Sequence, residues 1–214
     1  MRAKPSTFIH DPGLRAAKGM ARIYVVDNGG QWTHREWRVL KYLGVDTKIV
    51  ANDTPVGDLQ KENLDGLLLS GGAPRVGLAD TLGNCGDYID KLGVPTLGIC
   101  AGHQFMARHF GGQASPGVGE FGAAELRLSP EGLKSPMFKD VPPTSTVWES
   151  HHDDVTEVPK DFIVLGASER CPVQAMQHKT QPFFGFQFHP EVEHSQHGGT
   201  MLRNFVEFCE GRRR

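Results

Sequence analysis

The amino-acid sequence predicts a single three-layer α/β domain with a mostly parallel central sheet, a nucleophile-elbow strand-turn-helix and a β-rich second half. Three observations carry that expectation. Between Met20 and Phe110, short runs rich in Val, Ile and Leu alternate with longer segments of helical period, the pattern of parallel strands covered on both faces. From Gly111 onward the texture changes to short alternating or aromatic runs separated by Gly and Pro. Residues 94–104, VPTLGICAGHQ, pass from an extended apolar run into a helical pattern with nothing between them. A length of 214 residues with 38% apolar content suits one substantial domain and is short for two.

In chain order, residues 1–19 set Arg2, Lys4, Arg15 and Lys18 against one acid, with Pro5, Pro12, Gly13 and Gly19 breaking any periodicity, so they read as a flexible extension. The folded domain is expected over residues 20–211, opening with ARIYVVDN as a buried strand. Asn28 to Gln31 turn the chain into an amphipathic helix with Trp32, Trp37, Leu40 and Leu43 on one face, which Gly44 stops. VDTKIV is a second strand, and after a polar connection LDGLLLSGGAP is a third ending in a glycine turn. TLGNCGDYIDKLG is the next helix, VPTLGI the fourth strand, and Gln104, Phe105, Ala107 and Phe110 mark the helix after it. VWES, FIVLGAS, PVQAMQ and FFGFQF are short strands of the second half. The closing helix GGTMLRNFVEFCEG turns Met201, Phe205 and Phe208 inward, and Arg212 to Arg214 form a basic tail.

A net charge of −2 and a pI near 6.5 give no electrostatic case for nucleic acid or a membrane surface. No apolar run approaches a membrane span, and the first residues lack the apolar core of a signal peptide. Cys85, Cys100, Cys171 and Cys209 are scattered without a C-x-x-C pair, which favours a reduced, cytoplasmic setting.

Chemistry gathers at the carboxyl ends of strands in such sheets, where Asp27, Ser70-Gly71-Gly72 and Cys100 fall. Gly98 and Gly102 flank Cys100 at i−2 and i+2, the thiol version of a nucleophile elbow. The start of a helix would stabilise its thiolate. A small Cys closing a buried strand is the plainer alternative. A nucleophile needs a base and the base an orienting group. In FFGFQFHPEV, strand alternation sends Phe184, Phe186 and Phe188 one way and Gln187, His189 and Glu191 the other, with Pro190 marking the strand end. A solvent-facing His and Glu at a strand terminus is the alternative here. Acyl chemistry also needs oxyanion donors, for which the N–H of Ala101 and one from Gly71 or Gly72 are candidates. His151, His152, Asp153, His189, His194 and His197 could in principle ligate zinc, but no H-E-x-x-H or close Cys/His set accompanies them, and no metal is expected.

Together G-I-C-A-G-H-Q, S-G-G and F-H-P-E-V resemble the Cys-His-Glu motifs of the class I glutamine amidotransferases, in order from about Ala21 to Phe208. The resemblance implies that Cys100 attacks the side-chain amide of glutamine to give a γ-glutamyl thioester and ammonia. It implies that His189 serves as base and then acid, and that Glu191 holds its tautomer. It also implies that Gly72 and Ala101 form the oxyanion hole and that Gln104 contacts the substrate. Within the family, DNGGQ, EFGAAEL, VWESHHDDV, ERCPVQAM and the stretch around QFHPEVEHSQHGG are similar to glutaminase parts of GMP synthases, and by that likeness Ser150 and His151 border the glutamine pocket. His152 in place of glycine, Ala73 before the proline of the S-G-G turn, and Gly119 in place of a basic residue depart from the pattern.

The expected function is therefore a glutaminase subunit that passes ammonia to an ATP pyrophosphatase partner, which aminates xanthosine monophosphate. No cofactor is expected on this chain, with ATP and magnesium on the partner. Hydrolysis should be slow until the loaded partner docks. Rival readings are a glutaminase subunit for anthranilate, aminodeoxychorismate or carbamoyl phosphate synthesis, a stand-alone γ-glutamyl hydrolase, and a non-catalytic relative.

Overall fold

The computed structural model describes residues 20–74, 76 and 81–212. The expected extension over residues 1–19 and the last two residues of the basic tail lie outside the described residues. The first half builds β1 (Ile23–Asn28), α1 (Thr33–Tyr42), β2 (Ile49–Ala51), α2 (Val56–Gln60), β3 (Gly66–Gly72), α3 (Cys85–Leu92), β4 (Thr96–Ile99) and α4 (Ala101–His109). The second half builds β5 (Gln113–Leu128), β6 (Thr144–Glu157), β7 (Phe162–Ala167), β8 (Ala175–His178), β9 (Phe183–Phe186) and α5 (Gly198–Gly211). One nine-stranded sheet holds all of the strands in the order β2, β1, β3, β4, β9, β8, β7, β5, β6. The pairs from β2 to β9 are parallel and those from β9 to β6 antiparallel, so the sheet is mixed.

Side-chain alternation on the parallel strands builds two apolar layers. Ile23, Val25, Leu68, Leu97 and Ile99 pack with Leu40 of α1 and Met201 and Phe205 of α5. Tyr24, Val26, Leu67 and Leu69 pack with Tyr88 and Ile89 of α3 and Phe105 and Met106 of α4. Gly44 takes φ +79°, the left-handed turn that ends the chain's first helix just after Leu43.

Three local expectations differ from the structure. The short strand expected at VWES lengthens into β6, which forms a long hairpin with β5 where irregular pairing at Pro116/Glu120 absorbs the Gly-rich stretch. The polar connection after β2 contains α2, held by the single buried residue Leu59. The strand bearing FFGFQF ends at Phe186, three residues before His189. Phe184, Phe186 and Phe188 do share one apolar layer, and the rings of Phe186 and Phe188 stack at 5.0 Å. A turn at 189–192, not strand alternation, brings Glu191 beside His189: the Val192 N–H reaches the His189 carbonyl at 3.5 Å.

Candidate active site

Cys100 sits between β4 and α4 at φ +49° and ψ −105°, a left-handed conformation that costs a non-glycine residue strain. Its neighbours enforce it. The Cys100 N–H donates to the Phe186 carbonyl at 2.8 Å, and its own carbonyl accepts the Gln104 N–H at 3.0 Å, closing the first helical turn. A Cβ on Gly98 would lie 2.5 Å from the carbonyl carbon of Gly102, and one on Gly102 would strike the Leu69 carbonyl of β3. Both glycines are thus required for the helix to cross this close to the sheet. The sulfur stands at the positive end of α4, 4.0 Å from the Ser150 carbonyl.

β6 and its neighbours fix His189. Its N–H donates to the Trp148 carbonyl at 3.0 Å, and its carbonyl accepts the Ser195 hydroxyl at 2.6 Å, while that hydroxyl accepts the Trp148 N–H at 2.9 Å. Nδ1 of the ring lies 2.6 Å from Oε1 of buried Glu191, and the Trp32 ring meets the imidazole edge-on at 4.3 Å. Burial alone would lower the His189 pKa, but the charge of Glu191 and hydrogen bonds to Cys100 and Glu191 outweigh it and hold it well above the usual imidazole value.

A cleft of about 250 Å³ opens over these groups, walled by the Gly29–Gly30 turn, Trp32, Glu36, the Gly71–Gly72 strand end, Cys100, Ser150 and His189. Its floor is tied across β1 and β3: the Asn28 N–H donates to the Ser70 hydroxyl at 3.0 Å and the Asn28 side-chain amide to the Ser70 carbonyl at 2.9 Å. Gly71 fits because a Cβ there would lie only 3.1 Å from Cε1 of His189.

The structure brings Cys100, His189, Glu191, Gly72 and Ser150 together, with Ala101 directly after the sulfur-bearing residue. Gln104 and His151 are buried and do not wall the cleft. Gln104 is buried and donates from Nε2 to the Asp153 carbonyl at 2.5 Å and to Gln187 Oε1 at 3.1 Å. His151 points to the opposite face of the hairpin from Ser150 and is enclosed by acids: Asp154 at 2.8 Å from Nδ1, Glu149 at 3.1 Å and Glu120 at 3.6 Å from Nε2. Burial opposes its protonation, but hydrogen bonds to Asp154 and Glu149 raise its pKa to about 10.

Among the described residues, the one group whose potential ligand atoms converge is Glu120, His151 and Cys171, within 4.8 Å of one another. It shares only His151 with the six metal candidates of the sequence. Glu120 already accepts the Ser168 hydroxyl at 2.9 and 3.0 Å and the Gln174 amide at 2.9 Å, and burial pushes the Cys171 thiol up, away from the thiolate form that binds metal. His152 is exposed with its ring against Phe121 at 4.8 Å, and His194 lies against Trp148 at 4.5 Å. Gly119 takes φ +73°, which explains why a long basic residue is absent there. Ala73 is exposed at the cleft rim.

Sequence reasoning passed over Glu36. It is fully buried in the first turn of α1, and its Oε1 accepts the Gly71 N–H at 3.4 Å. A signal was present, since position 36 falls one helical turn after Trp32 and one before Leu40, in the middle of the apolar face.

The family model described as Glutamine amidotransferase class-I matches residues 24–208. The chain is 50% identical over 192 residues to a glutamine-hydrolyzing GMP synthase subunit of Thermoplasma acidophilum, covering 89% of this chain and 94% of that protein. It is 44% identical over 191 residues to the protein of the same name from Thermococcus kodakarensis, covering 87% and 98%. A crystal structure of a putative GMP synthase subunit from Thermoplasma acidophilum superposes with a TM-score of 0.84 at 48% identity, covering 91% of this chain and 96% of that one. From its strained elbow to its closing helix, this chain belongs to the class I glutamine amidotransferases.

Proposed function

We propose that the chain is the glutaminase subunit of a two-subunit GMP synthase. Cys100 is the nucleophile, adding to the glutamine side-chain amide carbon. His189 takes and returns the proton, and Glu191 holds the His189 ring. The N–H groups of Gly72 and Ala101 receive the developing oxyanion, while Ser150 borders the glutamine pocket and the buried Gln104 and His151 buttress its wall. The His189 proton passes to the leaving nitrogen, so ammonia departs and a γ-glutamyl thioester remains on Cys100. Water activated by His189 then attacks the thioester and releases glutamate.

The carrying observation is that Cys100 and His189 line one cleft, with His189 buried and 2.6 Å from the buried Glu191 carboxylate. The partner assignment is supported by relatives named as GMP synthase subunits at 40–50% identity. On this reading ammonia goes to an ATP pyrophosphatase subunit that holds ATP and magnesium and aminates xanthosine monophosphate. This chain carries no cofactor, binds neither nucleic acid nor membrane, and works in the cytoplasm. Among the described residues no helix is long and apolar enough to cross a membrane.

The amidotransferase domain is assigned to residues 20–211. Glutamine and the loaded partner share a coupling free energy of about 1 to 3 kcal/mol. The test is glutamine hydrolysis by the chain alone and with an ATP pyrophosphatase subunit, ATP, magnesium and xanthosine monophosphate. Slow turnover alone that rises about tenfold or more with the loaded partner is expected. Full-rate hydrolysis by the chain alone, unchanged by the partner, would overturn the reading.

A further inference from the structure

Glu36 has no part in the chemistry above, yet it reaches the same cleft. It is 0% exposed, and it lies one helical turn after Trp32, whose ring covers His189. Its Oε1 accepts the Gly71 N–H at 3.4 Å, and its Oε2 is buried with no hydrogen-bond partner. Oε2 of Glu191 is likewise buried without a partner. The ionisable groups facing Glu36 are Glu191 and His189, from the turn after β9, and Cys100 at the head of α4.

Gly71 is where these groups meet. It falls in the register break of β3, between the pairs Val26/Leu69 and Asn28/Gly72, and beyond the last pair with β4. The regular ladder therefore passes its N–H by, and a buried N–H without an acceptor is costly. A Cβ on Gly71 would sit 3.1 Å from His189 and 3.6 Å from Cys100 Cβ, so a small rotation of this residue moves backbone against both. The next peptide carries the Gly72 N–H.

An apolar side chain at 36 would fill the space and leave Gly71 unpaired. An ionised one would bury a second negative charge facing Glu191 with a single long hydrogen bond, an expensive arrangement. A neutral carboxylic acid satisfies both constraints, and burial followed by repulsion from Glu191 pushes Glu36 well above the usual carboxylate range.

We propose that Glu36 is a positioning residue held as an uncharged carboxylic acid, fixing the Ser70–Gly71 peptide, and with it the Gly71–Gly72 strand end beside Cys100, without adding charge to the face of His189 and Glu191. The assignment rests on the glutaminase reading of the site. Its test uses Glu36→Gln, which is neutral and keeps the acceptor, and Glu36→Leu, which removes it. Turnover with the loaded partner and alkylation of Cys100 by iodoacetamide are followed across pH.

Glu36→Gln should stay within about threefold of the parent at neutral pH and hold its kcat to higher pH, because the parent loses activity once Glu36 ionises beside Glu191. Glu36→Leu should lose about tenfold or more in kcat with little change in KM. Parent-like turnover by Glu36→Leu would overturn the proposal, as would a Glu36→Gln variant as impaired as Glu36→Leu. If Glu36→Leu does not fold, infrared difference spectra of the parent against Glu36→Gln decide. A neutral-acid carbonyl band at neutral pH, lost in the variant, supports the assignment, and a carboxylate band alone defeats it. A parent chain that is alkylated at Cys100 but hydrolyses no glutamine with the partner would defeat the glutaminase reading instead, leaving the infrared result to judge Glu36.

Discussion

Replacing Glu191 by Gln isolates what its charge does. The amide is nearly isosteric and still accepts the His189 N–H, so the ring keeps its tautomer while the partner loses its charge. In the parent this bond is 2.6 Å long, Glu191 is buried, and Trp32 covers the imidazole, so solvent screens little of the interaction. A hydrogen bond to a charged group contributes about 1.5 to 3 kcal/mol against about 1 for a neutral one, so the variant loses about 0.5 to 2 kcal/mol of imidazolium stabilisation. At 1.36 kcal/mol per pH unit, that is a shift centred on about one unit and a loss of roughly two- to thirtyfold in the population of the charged pair near neutrality. The sign follows from His189: its raised pKa falls toward the ordinary value, and the thiolate loses its cation at lower pH. Iodoacetamide alkylation of Cys100, followed from acid to alkaline pH, should move to higher pH by about one unit. A parent-like profile from a folded Glu191→Gln would refute the claim that this carboxylate sets the charge on His189.

Other outcomes follow from the same geometry. Cys100→Ala should abolish glutamine-dependent synthesis while ammonia-dependent synthesis by the partner survives, read by product formation with each nitrogen source. Gly102→Ala places a Cβ against the Leu69 carbonyl and should cost about 1 to 3 kcal/mol, a Tm lower by on the order of 5 °C. Gly57→Ala in α2, where a Cβ meets nothing within 4 Å, should leave Tm level or slightly higher, and equal losses in both variants would contradict the packing argument. His151→Gln should cost about 3 to 5 kcal/mol below pH about 6.5, where the folded imidazolium contributes fully to stability. That contribution is lost as pH rises through the folded value of about 10, so the gap in denaturation midpoint between parent and variant should narrow toward alkaline pH. A gap independent of pH would show that His151 is not the charge neutralising Glu149 and Asp154.

The features legible in the sequence were those set by local pattern. Buried parallel strands read as apolar runs, and Gly98-x-Cys100-x-Gly102 announced the elbow because only glycines allow the helix to approach β3 so closely. The Phe184, Phe186 and Phe188 layer followed from period two. What stayed hidden depends on groups brought from afar. The approach of Glu191 to His189 is the work of a turn after β9, which alternation imitates by coincidence of spacing. The family resemblance set His151 with Ser150 at the pocket border, while the contacts of its ring with the acids of β5 and β6 come from strand pairing that the motif does not show. Glu36 was overlooked because its acceptor role is defined by a register break in β3, 35 positions further along the chain and invisible to the pattern of its own helix.

Covalent catalysis by Cys100 is tested most directly by intact-mass and peptide analysis of the chain quenched in acid during glutamine turnover with the loaded partner. A γ-glutamyl group should appear with glutamine on the peptide containing Cys100, be more abundant in the slowed Glu191→Gln variant, and be absent from Cys100→Ala. Sustained hydrolysis with no adduct in any quenched sample, or an adduct that persists in Cys100→Ala, would contradict it.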